Sequence, residues 1–146
     1  AYGKLCLCTI DSNNDIAFTN EYLQGIDKIA IANPMVAPYG QAAVEALKKV
    51  FTAFKDNLIY GESIGQTALF VRSGSTEAGI LAASMKISIE SAGGKCIKID
   101  ESLYTEIAQA VTIVKSSSHQ KEALEFQNFL LSKRGKEILN KFGYSL

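Results

Sequence analysis

Apolar and polar positions along the chain switch between two periods. Short apolar or alternating runs read as strands over Lys4–Ile10, Ile29–Ala32, Leu58–Tyr60, Gly79–Ala83 and Cys96–Ile99. Ala108–Val114 is apolar almost throughout and reads as a sixth, central strand. Between them the period becomes helical. From Pro38, residues Val44, Leu47, Phe51 and Phe54 fall on one face, flanked by Ala43, Ala46 and Val50, while Lys48, Lys49 and Lys55 load the carboxyl end. Ser63 followed three residues later by Gln66 is a capping-box signature that opens a second helix, running through Val71 to Ser73-Gly74. A short helical turn is expected over Thr19–Leu23, stopped at Gly25. After Ser116-Ser117-Ser118 a helix should turn Ala123, Leu124, Phe126, Phe129 and Leu130 inward; a last helix carries Ile138 and Leu139 and ends at Gly143. Strands alternating with helices at these lengths predict an α/β fold in three layers, a mostly parallel sheet with helices on both faces.

In such a sheet, ligands sit beyond the carboxyl ends of the strands. Two loops occupy that place. Asn33-Pro34 ends one strand, because proline restricts its predecessor and cannot donate to a ladder; Pro38 then opens a helix whose first turn is Tyr39-Gly40-Gln41. The second loop, Gly61–Ser63, opens the next helix at Ile64-Gly65. Both helix starts offer unpaired backbone N–H groups and the positive end of a dipole. The hydroxyls of Ser63 and Tyr39 add to them. Neither loop contains lysine, arginine or histidine, and Glu62 is acidic, so an anion there is held by neutral dipoles alone. That suits a fully ionised tetrahedral oxyanion, whose oxygens only accept, better than a phosphate ester. The plainer readings are helix capping for Ser63 and aromatic packing for Tyr39, and capping does not exclude a ligand contact.

Composition narrows the function classes. The 146 residues suffice for one domain with a substantial core. Lys+Arg and Asp+Glu number 15 each, which argues against a nucleic-acid or anionic-membrane surface. No apolar run reaches membrane-spanning length, and no signal peptide opens the chain, which begins Ala1-Tyr2-Gly3-Lys4 without Met and is expected to start inside a longer protein or after processing. Of three cysteines, Cys6 and Cys8 alternate on one strand and Cys96 sits in another; an odd count without framework spacing favours small buried apolar residues over disulfides or a metal pair. His119, the single histidine, reads as a solvated helix start, and Lys133, Arg134 and Lys136 as a solvated face. There is no Gly-x-Ser-x-Gly, phosphate loop or His-x-x-x-His, so an enzyme is not expected and no cofactor is called for.

Several motifs taken together resemble a known family. They are Ile29–Pro34, Ala37-Pro38-Tyr39-Gly40 with Ala43–Leu47, Tyr60-Gly61-Glu62-Ser63, Ala78–Ser84, and Phe129–Tyr144. In combination these resemble the periplasmic molybdate-binding proteins of ABC transporters, from about Lys4 to the end. The resemblance implies a type II periplasmic binding protein: two α/β lobes on a hinge, gripping molybdate or tungstate between them for delivery to a membrane permease. It implies a periplasmic location, free or lipid-anchored outside the cytoplasmic membrane. Family members bind the anion through serines of the first lobe and backbone amides of the second. Carried over by motif, the second-lobe positions are Tyr39 and Ile64, with Gly40 and Ser63 beside them. Some members add a tyrosine hydroxyl where Ala82 stands here, so that contact is missing, with Ser84 or the Tyr39 hydroxyl as replacements. The family's first lobe has no counterpart in this chain. Residues 1–115 are then the second lobe with its hinge strands and 116–146 the C-terminal helices, whose uncovered apolar surface would favour self-association. The rival function is the effector-binding domain of a transcriptional regulator with the same fold.

Overall fold

A computed structural model describes residues 1–13, 15–51 and 54–146, the side chains of 54 and 55 apart. The elements, in chain order, are β1 (Tyr2–Gly3), β2 (Leu5–Thr9), α1 (Asn20–Gln24), β3 (Ile29–Ala32), α2 (Pro38–Val50), β4 (Leu58–Gly61), α3 (Ile64–Arg72), β5 (Ala78–Ala82), α4 (Lys86–Ser91), β6 (Lys95–Lys98), β7 (Ile107–Ala108), α5 (Gln120–Leu131) and α6 (Lys133–Lys141). No helix among the described residues is long and apolar enough to cross a membrane.

The main sheet has strand order β4-β3-β5-β2-β6. Strands β3, β4 and β5 run parallel, joined by the crossover helices α2 and α3, and β2 lies antiparallel between β5 and β6. Strand alternation sorts side chains to two faces. Leu5, Leu7, Ile29, Ile31 and Ile80 meet Ala43, Ala46 and Leu47 of α2 on one face. Cys6, Cys8, Ala30 and Leu81 meet Ala68 and Val71 of α3 and Ile89 of α4 on the other. The expected three layers are therefore present. Within α2 the buried stripe is Ala42, Ala43, Ala46 and Leu47, with Val44 and Val50 only partly covered. Phe51 is buried, and the side chain of Phe54 lies outside the described residues.

Three expectations need correction. Ala108–Val114 is not a central strand: only Ile107–Ala108 pairs, with the two-residue β1, and Val111 and Val114 are 51% and 65% exposed. An apolar run becomes a strand only where an edge accepts it, and β1 offers two residues. Second, α5 does not turn its apolar residues inward. Of its described residues none is buried, and Leu124, Phe126 and Phe129 are 49%, 58% and 43% exposed. The helix pairs with α6 and leaves that face without a surface to cover it. Third, two cysteines are bonded to each other. Cys8 and Cys96 face one another in the β2–β6 register and form a disulfide, while Cys6 stays free; all three are buried.

The first and last parts of the chain meet. Tyr2 pairs with Ala108 and forms a bridge with Ser145. Gly143, at φ +80, lies where an added Cβ would come within 2.7 Å of the Ala83 Cβ, so both its conformation and its close approach require glycine.

Candidate functional site

Three neighbouring parallel strands end at Gly61, Ala32 and Ala82, with β5 paired to β3 at Ala30↔Gly79. Ala32 pairs with Gly61 in register, and the Asn33 amide donates to the Gly61 carbonyl at 2.8 Å, which ties the first two tips together. The chain then folds back on Asn33. Its side-chain oxygen accepts from the Met35 amide at 3.0 Å, and its carbonyl accepts from Val36 and Ala37 at 3.2 and 2.9 Å. This turn delivers Pro38 as the first residue of α2. The Ala37 carbonyl takes the amides of Gly40 and Gln41, and proline has no N–H. Among the described residues no carbonyl accepts from the Tyr39 amide, so that donor is left for something outside the helix.

Gly40 sets how closely this helix start approaches the strand tip. A Cβ there would lie 2.1 Å from the Ala32 oxygen and 2.9 Å from the Pro34 nitrogen. Only glycine fits, because both obstacles are backbone.

At the next tip, Ser63 caps α3: its hydroxyl accepts from the Gln66 amide at 3.2 Å. Gln66 reaches back in return, but to the Glu62 amide at 2.6 Å rather than to that of the cap residue. Ser63 thus takes the capping role, and the Ile64 and Gly65 amides, first in the helix, remain without an acceptor among the described residues. Because α2 lies on one face of the sheet and α3 on the other, the two helix starts flank the strand tips from opposite sides of one edge. Tyr39, Gly40, Ser63, Ile64 and Ala82 are all gathered on that edge.

The side-chain part differs from the backbone part. Tyr39 is half-buried, its hydroxyl laid against Gly3 of β1 with Tyr144 close by. Burial first, then Tyr144 and Tyr104, push its phenol well above the ordinary tyrosine range. That hydroxyl is engaged with the chain's crossing strands rather than with the strand tips. Ala82 is buried, so it presents backbone only. Ser84 follows in the 3-10 turn Ala83–Met85 and is partly buried. A pocket of about 650 Å³ lies elsewhere, bounded among others by Lys4, Cys6, Lys86, Lys98 and Tyr144. There Lys4 and Lys98 are both paired to Glu101, whose carboxyl is held below its usual range by hydrogen bonds from Lys4 first and Lys98 second.

Two residues take roles that the sequence pattern does not announce. Asn33 organises the first turn, and the Asn-Pro pair was its only signal. Tyr104 accepts the Leu5 amide at 3.1 Å across 99 residues, which no local pattern announces.

The profile of bacterial extracellular solute-binding proteins matches residues 1–145. The chain belongs to that family. It is 33% identical over 151 residues to a molybdate-binding protein of Rhodobacter capsulatus, covering 99% of the chain and 57% of the relative. It is 33% identical over 154 residues to a molybdate-binding protein of Azotobacter vinelandii, covering 100% and 60%. Among solved structures, the Azotobacter vinelandii periplasmic molybdate-binding protein superposes with a TM-score of 0.84 at 26% identity, over 100% of this chain and 66% of that one. The chain therefore spans 57% and 60% of the two relatives' lengths.

Proposed function

We propose that this chain is the second lobe, with hinge strands and C-terminal helices, of a solute-binding protein that captures molybdate or tungstate and hands it to an ABC permease. The observation that carries the reading is the pair of helix starts on adjacent parallel strand tips, with free amides at Tyr39, Ile64 and Gly65 and no basic residue in either loop. Gly40 and Ser63 hold those turns in place, and Ala82 closes the third tip. A doubly charged tetrahedral anion needs several donors at once and is well served by fixed amide dipoles.

Residues 1–115 form the lobe and 116–146 the helices. The apolar side of α5, with Leu124, Phe126 and Phe129 uncovered, is where a first lobe would seat. The Cys8–Cys96 disulfide favours an oxidising compartment, so the protein works in the periplasm or anchored outside the cytoplasmic membrane. Its role is capture rather than catalysis, and family and relatives favour transport over a regulator's effector domain.

The test is calorimetry and thermal shift on the two-lobed protein with molybdate, tungstate, sulfate and phosphate. Molybdate and tungstate should raise the melting temperature and bind at micromolar concentration or better. A phosphate ester or amino acid binding more tightly than either would overturn the assignment.

A further inference from the structure

Three sulfurs meet under the α3–α4 face of the sheet. Cys6 Sγ lies 3.4 Å from Cys8 Sγ, and all three sulfurs fall within 4.8 Å of one another. Around them are Ala30, Ala68, Val71, Leu81 and Ile89. Register explains why only one pair is bonded. Cys8 faces Cys96 directly, with Cα atoms 4.2 Å apart, whereas Cys6 faces Lys98 and is a diagonal neighbour of Cys96. Diagonal partners stand about 7–8 Å apart, and residues two apart on one strand about as far, beyond the usual disulfide span. Cys6 is therefore a permanent third thiol beside a bridge it cannot join.

We infer that, once the Cys8–Cys96 bridge is reduced, Cys6, Cys8 and Cys96 form a three-sulfur site for a trivalent thiophile of the arsenite class. Three sulfurs each bonded at about 2.3 Å to one centre stand about 3.4–4.0 Å apart, which the Cys6–Cys8 separation already matches. Opening the bridge brings the third sulfur into that range. Charge selects the ion. Three thiolates on a divalent metal leave net negative charge among alkyl side chains, at high cost. As(OH)3 is uncharged, and so is its product: three As–O bonds break, three As–S bonds form, and each thiol proton leaves on a hydroxide as water. Nothing is oxidised or reduced in that exchange. The environment disfavours free thiolates in any case, since burial pushes the Cys6 thiol up to about 12. Access exists, because Cys6 borders the pocket of about 650 Å³ beside Lys4 and Lys86.

Reduction is the only redox step, and a water-soluble phosphine supplies it. The S–S bond breaks, phosphorus is oxidised to the phosphine oxide with oxygen from water, and water's two protons go to the sulfurs. The test is to reduce the chain, remove the phosphine in the cold, add arsenite, and record native mass and melting temperature. The expected result is one arsenic per chain with three protons lost, a raised melting temperature, and no uptake by the unreduced protein. C6S, or C6A should C6S fail to fold by circular dichroism, should lose only two protons and bind at least about tenfold more weakly. The inference is overturned if C6S binds arsenite as tightly as the parent. It is equally overturned if the reduced, folded chain takes up none, or if arsenite lowers the melting temperature and so prefers the unfolded chain.

Discussion

Gly40→Ala tests the proposed site at its tightest point. The added methyl carbon would stand 2.1 Å from the Ala32 oxygen, 2.8 Å from its carbonyl carbon and 2.9 Å from the Pro34 nitrogen. All three are main-chain atoms, so no rotamer change relieves the clash, and the first turn of α2 must retreat by about 1 Å to reach ordinary contact. Overpacking of this kind costs about 1–3 kcal/mol, while alanine regains up to about 1 kcal/mol of helix propensity. A net loss of about 1–2 kcal/mol lowers the melting temperature by about 3–6 °C in a chain this long. The same retreat pulls the Tyr39 amide off its position. A hydrogen bond to a charged group contributes about 1.5–3 kcal/mol, so molybdate affinity in the two-lobed protein should fall about ten- to hundredfold. Gly65→Ala is the internal control: its methyl meets only the Ser63 hydroxyl, at 3.8 Å. That variant should melt no lower than the parent, since its methyl meets no backbone and alanine favours the helix. Thermal melts and calorimetry on both variants decide the matter. Should G40A melt within about 1 °C of the parent and bind as tightly, the close approach at the strand tip has no part in holding the anion.

Four further outcomes follow from the same structure. Reducing the Cys8–Cys96 bridge, which spans 88 residues of sequence, should cost up to about 4–5 kcal/mol, read as a lower urea midpoint; an unchanged midpoint would show the bridge to be dispensable. Stability should be level below about pH 9 and decline as pH rises toward 12, because the Cys6 thiol, ordinarily at 9.0, is raised to about 12 in the fold and the unfolded chain loses its proton first. C6A should flatten that decline by up to about 1.4 kcal/mol per pH unit, and an unaltered slope in pH-dependent urea melts argues against it. On the proposed function, in which a second lobe supplies about half the donors, this chain alone should bind molybdate only at about millimolar concentration; calorimetry giving a sub-micromolar Kd would refute that. Finally, the uncovered side of α5 should drive concentration-dependent association in sedimentation equilibrium, abolished by replacing Phe126 and Phe129 with serine.

Signals in the sequence hold in the fold where the physics is local. Pro38 as the first residue of α2, Ser63 as the cap of α3, and the stops at Gly25 and Gly143 depend on a residue and its near neighbours, and each is where the pattern puts it. The alternating strands likewise fall within a residue or two of their expected bounds. The errors concern partners distant in sequence. Nothing in LCLCT reveals that Cys8 stands opposite Cys96, because register is a property of the assembled sheet. Ala108–Val114 and α5 carry apolar patterns of buried elements, but burial needs a surface to lie against, and most of those side chains remain open. The short helix α4, KISIES, leaves little trace in the sequence, since its two isoleucines favour strand and six residues show little period. At the candidate site the amides were legible, because turn chemistry sets them free. The destination of the Tyr39 ring, against Gly3 and Tyr144, was not.

The place of β2 between β5 and β6 has a consequence for the order in which this protein can come together. Among the described residues Leu5–Thr9 pairs with Gly79–Ala82 and with Lys95–Lys98, both far downstream of it. Until some seventy residues have followed, its amides and carbonyls have no strand to join, and the second partner comes later still, whereas the β3–α2–β4–α3–β5 run closes on near neighbours. Contacts of such separation form late and slowly. During synthesis Leu5–Thr9 is thus an open apolar ribbon until those strands are made, and whatever keeps that ribbon from sticking elsewhere decides how much of the protein reaches its finished state.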